Sequence, residues 1–124
     1  MIAMTNLSDA DCQKTLLDDF VRSVLRRYAA MDTHDNKTQR ACIENMIRIT
    51  RELDAMPPDG RAALTKLFEH EELGVRVMAA AYLLNVMPEK VLPFLQEVQD
   101  NCYGDEAIDA TTALFIYRAG DWDV

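Results

Sequence analysis

The residues able to do acid–base or metal chemistry in this chain are few, and they gather in two places. His70-Glu71-Glu72-Leu73-Gly74 begins as a zinc-protease helix does, where a second histidine four positions after the first completes the metal face. Glycine stands at position 74, so only one imidazole is on offer. The other histidine, His34, is distant in the chain, and neither histidine has a cysteine at ligand spacing. Closing a helix end is the simpler role for His70. The second place is Asp105, Glu106 and Asp109, three carboxylates on the opening turn and a half of a helix. Such a group suits a cation or a proton transfer, but acids at a helix start are also what the helix dipole favours. Asp32, Asp35 and Asn36 lack the glycine and terminal glutamate of a calcium loop. The chain has no Gly-rich phosphate cradle and no nucleophile elbow. The pattern assigns no catalytic residue, no cofactor and no metal ligand, and the expectation is a protein that is not an enzyme.

Charge is distributed unevenly. The chain carries 21 acidic and 13 basic residues, a formal net charge of −8. That balance argues against nucleic acid or an anionic membrane as the main partner and suits a basic protein. From Asp100 to Val124 there are six acids (Asp100, Asp105, Glu106, Asp109, Asp121, Asp123) against Arg118 alone. The single tryptophan, Trp122, lies between two of these aspartates. An aromatic anchor ringed by carboxylates makes a protein-contact patch, with Asp105, Glu106, Asp109, Asp121, Trp122 and Asp123 as its candidates. The competing reading is that Trp122 folds back and plugs the end of the helices.

These residues have to be positioned by helices. Apolar residues make up 49% of the 124 positions while aromatics make up 7%, a composition that favours an all-α chain forming one domain, residues 1–124. Ser8 with Asp11 forms a cap for a helix over about 8–31, whose stripe is Leu16, Leu17, Phe20, Val21, Val24, Leu25 and Tyr28. Asp18 is spaced to reach Arg22 on its outer side. A second helix over about 37–55 carries Cys42, Ile43, Met46, Ile47, Ile49 and Leu53. Pro57-Pro58-Asp59-Gly60 breaks the pattern. Further helices are expected over about 59–69, 73–86, 88–100 and 105–119, paired one with two, three with four and five with six. Pro93 is placed near the start of the fifth, and Asp105 is expected to cap the sixth, which Gly120 stops.

Cys12, Cys42 and Cys102 are odd in number and lack a Cys-x-x-Cys pair, which suggests reduced thiols in the cytoplasm. The opening Met1-Ile2-Ala3-Met4-Thr5-Asn6 lacks a signal-peptide pattern. No run of about 18 apolar residues suggests a membrane span.

The most organised stretch is Leu73–Leu95, where Val75-Arg76 and Ala79-Ala80 share one helix and Pro88-Glu89 opens the next. This pattern resembles a HEAT-like repeat, the paired-helix unit of α-solenoids. With Arg61-Ala62-Ala63-Leu64, Leu67, His70, Ala110-Thr111-Thr112-Ala113-Leu114 and Gly120-Asp121-Trp122, the likeness runs from about Lys14 to Trp122. Over that span the chain resembles a family of short bacterial proteins of unassigned function with a HEAT-like helical fold, some of whose members resemble immunity partners of secreted toxins. The resemblance implies a short right-handed stack of about six helices. It also singles out Arg76, which in HEAT-like repeats commonly ties neighbouring repeats to a carboxylate and is here a further partner-contact candidate. The functional expectation is a non-catalytic module that holds a protein partner, in its sharpest form an immunity protein covering a basic toxin. The alternatives are an adaptor or self-associating scaffold, using the Phe115–Tyr117 region, and a nucleic-acid-processing protein. The last would need Arg22, Arg26, Arg27, Arg40, Arg48 and Arg51 to line a groove free of carboxylates.

Overall fold

The computed structural model describes residues 8–124, so the reading of Met1–Asn6 falls outside the described residues. All regular structure among the described residues is helical. In chain order it comprises α1 (Asp9–Asp32), α2 (Asn36–Asp54), a 3-10 helix (Gly60–Glu69), α3 (Leu73–Tyr82), α4 (Pro88–Asn101) and α5 (Asp105–Arg118). These elements cluster into two compact units, one ending at Ala63 and the other Leu64–Val124.

In the first unit α1 packs along α2. Leu17, Phe20 and Val24 recur at steps of three and four on α1, and Cys42, Met46, Ile49 and Leu53 do the same on α2; all seven are buried. Leu25, assigned to the α1 stripe by its hydropathy, is instead exposed. Two polar side chains inside this seam are satisfied locally. Asn45 Nδ2 donates to Ser23 Oγ at 2.7 Å, and Thr50 Oγ1 donates to the Met46 carbonyl at 2.8 Å.

The ends of these helices follow capping chemistry. Ser8 Oγ accepts from the Asp11 amide at 3.1 Å, as the sequence suggests. Between α1 and α2, His34 takes a left-handed φ of 57°. The His34 amide donates to the Met31 carbonyl and the Asp35 amide to the Ala30 carbonyl, the two bonds of a Schellman close. Glycine is the residue this position favours, because a Cβ there meets the following carbonyl. The variant His34→Gly is therefore expected to gain about 1 kcal/mol of stability, read as a higher urea midpoint; an unchanged or lower midpoint would show that the side chain offsets its own strain. Asp35 then caps α2, accepting from the Thr38 amide at 3.0 Å and the Thr38 hydroxyl at 2.6 Å.

Ion pairing on α1 differs from expectation. Arg22 pairs with Asp19, one turn away at i−3, while Asp18 accepts from Lys14 at 2.9 Å. Beyond α2 the chain passes through Met56-Pro57-Pro58-Asp59, with a cis bond between the two prolines. Arg61 and Asp54 close this loop through two N–H···O bonds of 2.8 Å each.

The Arg61 hydrogen bonds and charge hold the Asp54 carboxyl below its usual range, against the opposing effect of burial. Asp35 is likewise lowered, by the Thr38 hydroxyl and amide. Because both folded-state values lie below the unfolded ones, the stability they contribute is complete above about pH 4 and is lost as the pH falls through the lowered values. Asp54→Asn should accordingly lose less of its urea midpoint than the native chain between pH 7 and about pH 3. Parallel losses would show that the Arg61 pair adds nothing.

The third helix is a 3-10 helix over its whole length, Gly60–Glu69. From it Leu64 and Leu67 enter the core of the second unit. His70 caps the bend that follows, its Nδ1 accepting from the Glu72 amide at 3.0 Å. α3 is buried at Gly74, Val75 and every position from Val77 to Tyr82, and it packs against α4 and α5 rather than pairing with the 3-10 helix. Ala79, Ala80 and Ala81 give those helices close access. α3 stops at Tyr82, earlier than the expected 86: Leu83 and Leu84 turn tightly onto the carbonyls three residues back, which leaves Val86 outside the helix and exposed. Pro88 opens α4, Pro93 sits within it on the exposed side, and Val91, Leu95 and Val98 form its inner face. α5 buries Ala110, Ala113 and Leu114. Its cap residue is Gly104, with φ 87°, so Asp105 occupies the first helical position and is not the cap.

Candidate functional site

The candidate surface lies on α5 and the residues flanking it. Asp105 and Glu106 fall in its first turn and Asp109 follows in the second; all three are half-buried. Asp121 and Asp123 are exposed beyond the other end of the helix. A helix of 14 residues is roughly 20 Å long, so the acids grouped as one patch fall into two sets, one in its opening turns and one past its end. What lies between them is apolar. Ile108 is 59% exposed and Phe115 74% exposed. They stand seven positions apart, two turns of one face, with Thr111 and Thr112 exposed between them. Tyr103, just before the helix, is 94% exposed. Because Ala110, Ala113 and Leu114 are buried on the other side, α5 is apolar on two faces, and only one of them is covered within its unit.

Trp122 does not belong to this surface. Gly120, at φ 81°, donates its amide to the Tyr117 carbonyl, and the Asp121 amide donates to the Ile116 carbonyl, which closes α5 and turns the chain back. The indole Nε1 then donates to the Ala81 carbonyl at 2.8 Å, and the ring lies tilted against Tyr82 with centroids 6.3 Å apart. Asn85 Nδ2 holds the same segment from outside, donating to the Trp122 carbonyl at 2.6 Å. Trp122 therefore docks on the end of α3, the second of the two readings given for it above, and it remains half-buried there.

Arg76 also departs from expectation. It makes no ion pair with any described residue, so the carboxylate tether implied by the HEAT-like resemblance is not formed. Its Nε is buried and has no hydrogen-bond partner. Arg76 lines a cavity of about 240 Å³ together with Phe68, Ala80, Lys90, Val91 and Phe94.

The arginines of the first unit do not form a groove free of acids. The groove along α1 and α2 is lined by Asp19 as well as Arg22 and Arg26, with Asp19 bonded to Arg22, and Arg48 is paired with Glu52. All three cysteines are free. Among the described residues no three His, Cys, Asp or Glu side chains gather as a metal site, and no helix is long and apolar enough to cross a membrane.

Residues 14–117 match the model of a family described as a domain of unknown function, DUF2019. The chain belongs to the DUF2019 family. Its structure is similar to the crystal structure of the protein RPA1889 from Rhodopseudomonas palustris CGA009, with a TM-score of 0.78 over 100% of this chain and 99% of that one, at 24% identity. At that identity the likeness concerns the fold. No curated protein matches this DUF2019 chain. Sequence reasoning found the acids of its α5 and offered Phe115 only within a self-association region; it missed the outward Ile108 and Phe115 as one pair on the same face, and it missed Phe68, Lys90 and Phe94 around Arg76. The signal for the first pair was present: a helix with apolar side chains seven apart on one face and a separate small-residue face on the other needs two covers.

Proposed function

We propose that this DUF2019 protein is a non-catalytic cytoplasmic module that binds a basic protein partner through the outward face of α5. The observation that carries this reading is the pairing of exposed Ile108 and Phe115 with acids at both ends of the same helix. Apolar side chains at the centre of a patch supply affinity when they are desolvated, while charges around them raise the association rate and select the partner's sign. The sharper form of the proposal is an immunity protein that covers a basic toxin domain. Its finer fold reading is a short right-handed HEAT-like stack, supported by the close α1–α2 pair and by the alanine-lined packing of α3. Co-expression with toxin domains encoded beside it tests the sharper form. Co-purification and protection of the host are expected; failure of every neighbouring product to bind, together with no protection, would overturn it.

A second reading, self-association through the same face, has the exposed Phe115 in its favour. It is disfavoured by symmetry. An isologous contact sets a patch against its own copy, and here that would bring the acids at the two ends of α5 against acids. Arginine grooves interrupted by Asp19 and Glu52 likewise support a protein partner over nucleic acid.

A further inference from the structure

The second unit holds a cavity whose chemistry is opposite to that of the α5 surface. Its walls are Phe68 and Phe94, with Ala80 and Val91 between them, and its charged groups are Arg76 and Lys90. Both charges are cationic. Neither forms an ion pair with a described residue, and the Arg76 Nε is fully buried with its N–H unused. A buried donor left without an acceptor costs stability, so an arginine held this way is poised for an acceptor from outside the chain. Lys90 adds a second reason. It lies in the opening turn of α4, just after Pro88, where the helix dipole already disfavours a cation. An anion in the cavity would relieve both.

We infer that this cavity is a binding site for a small carboxylate with an apolar body, of the size of an aromatic or branched-chain acid. The planar guanidinium of Arg76 presents paired N–H groups that suit the two oxygens of a carboxylate, and Lys90 supplies a second positive charge near the mouth, where it is exposed. The two phenylalanines and Val91 take the apolar body and exclude water, which strengthens the charge contact. About 240 Å³ is room for one ring with a short acid arm and not for a nucleotide. A bare phosphate would leave the apolar walls unused. This site is separate from the α5 face and stands or falls independently of the proposed partner.

Phenylacetate is a suitable probe, with the uncharged phenylacetamide and inorganic phosphate as comparisons, in heteronuclear NMR of the nitrogen-labelled full chain. The Arg76 Nε–Hε pair gives its own resonance there. Phenylacetate is expected to shift that signal and the amides of Ala80 and Val91 saturably, with Kd on the order of 1 mM. Arg76→Lys, which keeps the charge and removes the fork, should weaken binding roughly tenfold. Lys90→Gln, at an exposed position where folding is safe, should weaken it several-fold. Phenylacetamide binding as well as phenylacetate would overturn the inference, as would phosphate moving the same signals equally well. Absence of any saturable shift, or full affinity in Lys90→Gln, would overturn it too.

Discussion

Replacing Trp122 by alanine should lower the unfolding free energy by about 3 kcal/mol, which for a chain of this size corresponds to roughly 10 °C in Tm. The substitution removes the ring from Tyr82 and from the end of α3, and it leaves the Ala81 carbonyl without the indole donor that meets it at 2.8 Å. Trp122→Phe separates the two contributions. It keeps most of the packing and loses the hydrogen bond, so about 1 kcal/mol should go. Thermal or urea unfolding of the three proteins decides this. A loss below about 0.5 kcal/mol in the alanine variant would mean that the segment after Gly120 does not dock on α3.

The second large effect concerns binding without stability. Phe115 is 74% exposed, so Phe115→Asp should change the unfolding free energy by no more than about 0.5 kcal/mol. If Phe115 is the centre of the contact, the same change should weaken the partner about 100-fold, because it places a charge where an aromatic ring was to be desolvated. Asp121→Asn, at the C-terminal end of the patch, should slow association several-fold and leave dissociation nearly untouched, as rim charges do. A Phe115→Asp protein that binds as tightly as the native chain would remove α5 from the account.

The contrast between Trp122 and Phe115 shows where the sequence was readable and where it was not. Helix positions follow local rules, and those rules are written in neighbouring residues: Ser8 before α1, Pro88 at the start of α4, Gly120 after α5. The buried faces of α1 and α2 follow from steps of three and four. What escaped depends on distance in the chain. That Trp122 folds back was one of its two readings, but its partner Ala81 lies 41 positions away, and Arg61 meets Asp54 across a proline loop; no local pattern names either partner. The difference between an α-helix and the 3-10 helix at Gly60–Glu69 is also hidden, since periods of 3.6 and 3.0 residues place Ala63, Leu64 and Leu67 on nearly the same side over so short a run. His34 is a different kind of miss. A histidine in a left-handed conformation is uncommon enough that turn-prone neighbours alone do not call for it.

The candidate site was half legible for the same reason. Counting acids found the charge of the last fifth of the chain and placed Asp105, Glu106 and Asp109 at the start of α5 and Asp121 and Asp123 beyond its end, but it cannot tell that the exposed Ile108 and Phe115 lie between the two groups. Nor can it show that Arg76, the residue expected to be tied to a carboxylate, has its Nε buried beside phenylalanines with no partner. Both features come from packing, which decides which side chains are used up internally and which remain.

The central claim is that the outward face of α5 holds a basic protein. The most direct measurement is affinity capture from the protein's own host with the native chain and Phe115→Asp in parallel, eluted across increasing salt and identified by mass spectrometry. The account predicts a basic partner retained by the native chain, released as salt screens the acids, and missing from the Phe115→Asp capture. Recovery of the same chains by both baits, or of a partner that is acidic and insensitive to salt, would contradict it.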